Sequence, residues 1–146
     1  MFTIAPKVHM PRIGLGTFRI TGSEQVHLAL DRALKLGYRF FDTAQYYENE
    51  QEIGEALQIL LEKYNLKRSD IFLTTKLRHN IVGETEKSLD DSLKRLKTDY
   101  VDLFLIHYPA PVRGSSPGTK EENMKVRLAI WSEMEKLLGE SENSWA

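Results

Sequence analysis

"DYVDLFLIHYP", residues Asp99–Pro109, is an almost unbroken apolar run that ends on a histidine. A run without polar alternation is the pattern of a strand covered on both faces, as in a parallel sheet. A titratable ring at its end has two readings. A single histidine commonly packs in a core with one backbone hydrogen bond. At the C-terminal end of a parallel strand it instead stands where such sheets bind ligands.

The flanking sequence repeats the pattern. "RIGLGTF" (12–18) is followed by a helical segment from about Ser23, with Val26, Ala29, Leu30, Ala33 and Leu34 at i, i+3, i+4, i+7 spacing and Gly37 as the stop. "YRFFDT" (38–43) leads into a helix striped by Ile53, Leu57, Leu60, Leu61 and Tyr64. "IFLTTKL" (71–77) leads into one striped by Leu89, Leu93 and Leu96. After the opening strand, a loop rich in Gly, Ser and Pro runs from Ala110 to about Lys120. A helix with Val126, Ile130, Met134 and Leu137 on one face follows and stops near Gly139.

Four strand–helix units imply a parallel sheet with right-handed crossovers, either doubly wound or curled into a barrel. Polar residues at the strand ends favour the barrel: Asp42 closes the second strand, Lys76 the third and His107 the fourth. Side chains alternate along a strand. Tyr38 and Phe40 therefore share a face with Asp42, Phe72 and Thr74 with Lys76, and Val101, Leu103 and Leu105 with His107. All three polar groups are expected to point inward together. Moreover, Gly14 and Gly16 are followed by Arg19 where the dinucleotide fingerprint of doubly wound sheets needs a third glycine. An eight-stranded α/β barrel takes about 250 residues. The fold expected of this 146-residue chain is therefore α/β, the first four βα units of a (β/α)8 TIM barrel, and the barrel is incomplete.

The strand ends form a chemical set. Buried alone, an ammonium or a carboxylate costs several kcal/mol, so Asp42 and Lys76 are expected to pair, as a structural salt bridge or as part of a site. Tyr47 stands five residues past Asp42, with Tyr46 before it. A phenol titrates near ~10 in water, and a neighbouring cation brings it closer to neutrality. Tyr47 then serves as general acid, Lys76 as the cation that tunes it and Asp42 as the group holding Lys76. His107 orients a substrate oxygen. Such a set suits protonation of a carbonyl oxygen while hydride reaches the carbon, and the hydride must come from a cofactor because no side chain donates one.

Composition removes other classes. Lys and Arg number 20 against 21 Asp and Glu, and no block of five like charges occurs, so nothing marks a nucleic-acid or anionic membrane partner. No apolar run has the length of a signal-peptide core or a membrane span. Without cysteine there are no disulfides, thiolate metal sites or thiol catalysis; no metal site is expected, and a cytoplasmic location is.

Four motifs, "MPRIGLGTF", "GYRFFDTAQYYENEQEIGEAL", "SDIFLTTKL" and "DYVDLFLIHYP", together resemble the aldo-keto reductases, NADP-dependent carbonyl reductases. The resemblance places that family's catalytic residues at Asp42, Tyr47, Lys76 and His107, and the Asp-to-Tyr spacing selects Tyr47 over Tyr46. It implies NADP(H) as cofactor and a small-molecule carbonyl substrate. Gly16, Thr17 and Asp42 would lie near the nicotinamide, and Phe18 and Tyr108 would form aromatic walls beside Tyr47 and His107. The bland alternatives are a turn at Gly16 and ordinary packing for the two rings. Arg78 departs from the family, whose best-known reductases have an aromatic residue two places after the lysine; it favours a polar or anionic substrate or is simply solvated.

The resemblance covers about Met10 to Gly139 and half of the family's barrel. Residues 1–139 are read as its N-terminal half and 140–146, "GESENSWA" from Gly139 onward, as a divergent polar tail. The expectation is a truncated product of an alternative transcript or a shifted frame, with open barrel edges available for self-association or a partner chain. The alternative to a carbonyl reductase is a non-catalytic isoform acting as an interaction or regulatory subunit.

Overall fold

The computed structural model describes residues 1–109 and 118–138. Strands β1 (Phe2–Ala5) and β2 (Val8–Met10) form an antiparallel hairpin. Then follow β3 (Leu15–Gly16), α1 (Ser23–Lys35), β4 (Phe40–Asp42), α2 (Glu50–Lys63), β5 (Phe72–Leu77), α3 (Thr85–Leu96), β6 (Leu103–Ile106) and α4 (Lys120–Leu137). The four later strands make one parallel sheet in the order β3-β4-β5-β6. Four consecutive βα units in sequential order are the expected half of a barrel. The expected stop at Gly139, most of the loop from Ala110 and the tail 140–146 lie outside the described residues.

The helix stripes pack as their spacing requires. Val26, Leu30, Ala33 and Leu34 of α1, and Ile53, Ala56, Leu57 and Leu60 of α2, are buried against Phe41 and Leu73 in one core. Each of these large side chains contributes about 1.5–3 kcal/mol on leaving water. Gly54 is required where α2 crosses α3: a Cβ there would stand 2.6 Å from the Leu96 carbonyl carbon. In α3 the buried residues are Thr85, Ser92 and Leu96, while Leu89 and Leu93 of the expected stripe are half-buried. Helix α4 is capped by Thr119, whose hydroxyl accepts from the Glu122 N–H. It buries Ile130, with Val126, Met134 and Leu137 beside it.

Two expectations are corrected. The strand read over 12–18 shrinks to Leu15–Gly16, because beyond it the Thr17 N–H and the Asn49 side chain take over the hydrogen bonding. The fourth strand begins at Leu103, two residues later than Val101. There the Asp102 carboxylate accepts the Leu73 N–H at 2.8 Å and pairs with Arg68, replacing a ladder bond by a side chain. The hairpin β1–β2 went unread because its turn sets Lys7 at φ 62, a left-handed position that sequence usually marks with Gly or Asn.

Side-chain alternation is as expected. Phe41, Leu73, Thr75 and Leu77 face the helices and are buried. Phe40 and Phe72 meet edge to face at 5.2 Å on the opposite, inner face. That face is open at β6, where Leu105 is 37% exposed. Among the described residues no helix is long and apolar enough to cross a membrane.

Candidate active site

The C-terminal ends of β3, β4, β5 and β6 lie side by side, and the parallel register sets their residues level: Gly16 pairs with Asp42, and Lys76 with Leu105. Lys76, alone among the described lysines in not being exposed, has its side chain 12% exposed. Its ammonium donates to Asp42 Oδ2 at 2.7 Å, to the Thr43 carbonyl at 2.8 Å and to the Tyr47 hydroxyl at 3.2 Å. Three acceptors, one of them charged, meet the desolvation cost of a buried cation. An ammonium has no lone pair, so the Tyr47 oxygen accepts this bond. Its own proton stays available to a further acceptor.

Tyr47 is aimed by a 3-10 turn over Gln45–Tyr47 that follows β4 directly. The turn is closed by Glu48 at φ 57, so the chain reverses and α2 starts at once. The Lys76 Nζ lies 4.8 Å from the Tyr47 ring centroid. The His107 ring meets Tyr47 edge-on at 5.6 Å and stacks on Tyr108 at 4.3 Å, 11° from parallel. The His107 backbone N–H extends the ladder beyond β6 by donating to the Leu77 carbonyl. Phe18 lies 5.1 Å from Tyr47 on the other side and is half exposed. Asp42, Tyr47, Lys76, His107, Phe18 and Tyr108 thus form one contiguous group at the strand ends.

Gly16 and Thr17 differ from each other. Around Gly16 an added Cβ would meet nothing within 4 Å, so the surface there is open beside Asp42. Thr17 is fully buried, and both its N–H and its hydroxyl go to the Asp42 carbonyl, at 2.9 and 3.0 Å. It holds the backbone of Asp42 in place.

Three contributors escaped the sequence reading. Tyr46 stands edge-on to both His107 and Tyr108, at 6.0 and 6.2 Å, and forms a further wall. Asn49, 1% exposed, donates to the Thr17 and Ile20 carbonyls and accepts from the Thr43 hydroxyl, each at 2.9 Å. It binds the loop bearing Phe18 to the strand end bearing Asp42. Behind β5, the buried Glu50 accepts from Thr75 at 2.6 Å and pairs with Arg95 at 2.8 Å, bracing the residue next to Lys76. Asn before a helix normally signals an N-cap; here its side chain serves a loop 29 to 32 residues away in sequence, and no local pattern reveals that.

The family model that matches this chain is the aldo/keto reductase family, over residues 12–140. The chain belongs to the aldo/keto reductase family. It is 38% identical to an NADP-dependent D-sorbitol-6-phosphate dehydrogenase of Malus domestica, over 80% of this chain and 37% of that protein. It is likewise 38% identical to an aldose reductase of Encephalitozoon cuniculi, over 88% and 45%. Among solved structures, an aldo-keto reductase of Bombyx mori in complex with NADP superposes with a TM-score of 0.76 at 31% identity, covering 89% of this chain and 44% of that one. The chain spans less than half the length of these relatives. Its sheet therefore corresponds to part of an aldo/keto reductase barrel, as the order of its four parallel strands requires.

Proposed function

We propose that the protein reduces an aldehyde or ketone to an alcohol with NADPH, and that this chain carries the proton-donating centre. The observation that carries the reading is the simultaneous contact of the Lys76 ammonium with the Asp42 carboxylate and the Tyr47 hydroxyl. NADPH supplies the hydride for the carbonyl carbon. The open surface at Gly16 beside Asp42 fits its nicotinamide end, with Thr17 fixing the Asp42 backbone below.

Every remaining step belongs to side chains. The substrate carbonyl oxygen sits between Tyr47 and His107, whose ring N–H orients it. As negative charge grows on that oxygen, the Tyr47 proton moves to it. The phenolate left behind is stabilised by the ammonium already hydrogen-bonded to it. Asp42 and the Thr43 carbonyl keep Lys76 in place, and solvent returns the proton to Tyr47. Phe18, Tyr46 and Tyr108 shield the carbonyl from water, which strengthens each of these interactions.

The same reading gives a function to the outer edges of β3 and β6, which pair with no further strand among the described residues. They take the strands that close an eight-stranded barrel, from other sequence of the same protein or from a second copy of this chain. A cysteine-free chain suits the cytoplasm, where we place it.

The test is direct. Purified chain mixed with NADPH and a reactive aldehyde loses nicotinamide absorbance, and Tyr47→Phe abolishes the loss. Absence of both turnover and NADPH binding by titration contradicts the proposal for this chain.

A further inference from the structure

We propose that Arg78 recognises a carboxylate on the substrate, so that the site selects short carbonyl compounds bearing an anionic group; this rests on the carbonyl-reductase reading above. Arg78 lies two residues beyond Lys76, directly after β5, and its backbone is pinned where the Gln45 side chain accepts its N–H at 2.9 Å. Gln45 is itself held by donating to the Ser88 carbonyl and Ser92. The guanidinium lies over the Tyr46 ring, 5.4 Å from its centroid. Tyr46 in turn abuts His107 and Tyr108. One aromatic ring therefore lies between the cation and His107, the guanidinium 5.4 Å and the His107 ring 6.0 Å from its centroid.

The donors of Arg78 are only partly used. Nη1 pairs with Glu48 at 2.9 Å. Nε is shielded from water and has no partner among the described residues. Being shielded, Nε is out of an incoming ligand's reach, so the exposed Nη side, where Glu48 now sits, is the face whose planar fork matches the two oxygens of a carboxylate. Glu48 is a weak competitor: its side chain is 69% exposed. Exposed ion pairs of this kind are worth at most about 1 kcal/mol. An incoming carboxylate that displaces Glu48 therefore has only a weak pair to replace.

The surroundings also limit substrate length. Beyond Arg78 opens a groove of about 470 Å³ lined by five carboxylates, Glu48 and Glu52 among them, against Arg95 and Arg78 itself. An anion passing Arg78 enters a region where carboxylates outnumber cations. This disfavours long anionic chains and favours a charged end that stops at the guanidinium.

The test uses 4-carboxybenzaldehyde, its neutral methyl ester and the alcohol product 4-(hydroxymethyl)benzoate. Calorimetric binding of the product acid to the chain is expected to weaken about tenfold in Arg78→Met and to strengthen several-fold in Glu48→Gln, which removes the competitor. The ratio of kcat/KM for the acid over the ester is expected to fall by a similar factor in Arg78→Met. No binding by the wild type, or equal binding by wild type and Arg78→Met, overturns the proposal whatever turnover shows. Arg78-dependent binding with neither turnover nor NADPH binding leaves the anion site standing and overturns the reductase reading instead. Circular dichroism of both variants confirms that neither result comes from unfolding.

Discussion

The Lys76 ammonium donates to the Tyr47 hydroxyl at 3.2 Å, which leaves the Tyr47 proton as the part of that hydroxyl free to move. In the proposed reaction, the direction of this one bond makes Tyr47 the proton donor of the cluster. It holds only while Lys76 stays charged and in place. Asp42, 2.7 Å away, is the group that secures both.

Asp42→Asn keeps the shape of the side chain and removes its charge. The expected result is a loss of about 1–2 kcal/mol in urea unfolding, between the exposed and buried extremes for ion pairs. Turnover is expected to fall about tenfold or more, because Lys76 is then held by neutral acceptors alone.

Asn49→Ala removes three hydrogen bonds from a site that is 1% exposed. Two backbone carbonyls and a threonine hydroxyl lose their partner, and the expected cost is about 3 kcal/mol by urea unfolding. The loop carrying Phe18 is then held less firmly against Tyr47, which proteolysis near Ile20 would report as faster cleavage.

Gly54→Ala sets a methyl group against the backbone of Arg95 and Leu96, which cannot rotate away as a side chain would. Helices α2 and α3 must separate. A destabilisation of about 3 kcal/mol is expected, at the upper end of overpacking costs, and thermal unfolding measures it. A neutral substitution would contradict this packing.

Acid weakens the α1–α2 contact in a stated direction. Hydrogen bonds from Lys63 and Tyr64 hold the Asp31 carboxyl below the usual carboxylate range. In the unfolded chain it titrates near ~3.9. With the folded value the lower one, the stabilisation is present above about pH 4 and lost as pH falls through the folded value. The melting temperatures of wild type and Asp31→Asn are therefore expected to differ near neutrality and to converge at low pH.

Much of this was legible in the sequence because it is local. The stripe Val26–Leu30–Ala33–Leu34 and the apolar strands follow from period alone, and strand alternation alone put Phe40 and Asp42 on one face, with Phe72, Thr74 and Lys76 on another strand's matching face. Three strand ends carrying Asp42, Lys76 and His107 needed only a parallel sheet to bring them together. What stayed hidden depends on contacts between distant segments. Asn49 reads as a cap until Thr17 and Ile20 are seen beside it, and Asp102 reads as strand until its carboxylate takes the Leu73 N–H. The hairpin turn at Lys7 lacks the glycine that would have announced it. Tyr46 went unread because adjacent tyrosines were ranked by spacing, and only the structure turns its ring toward His107.

The most direct test of the central claim is the rate at which the purified chain oxidises NADPH in the presence of an aldehyde, compared between wild type and Tyr47→Phe. Removing one hydroxyl should leave NADPH binding intact and lower the rate by at least about 100-fold, the contribution of a positioned general acid. A rate unaffected by Tyr47→Phe, or a wild-type chain that neither binds nor oxidises NADPH, would contradict the account.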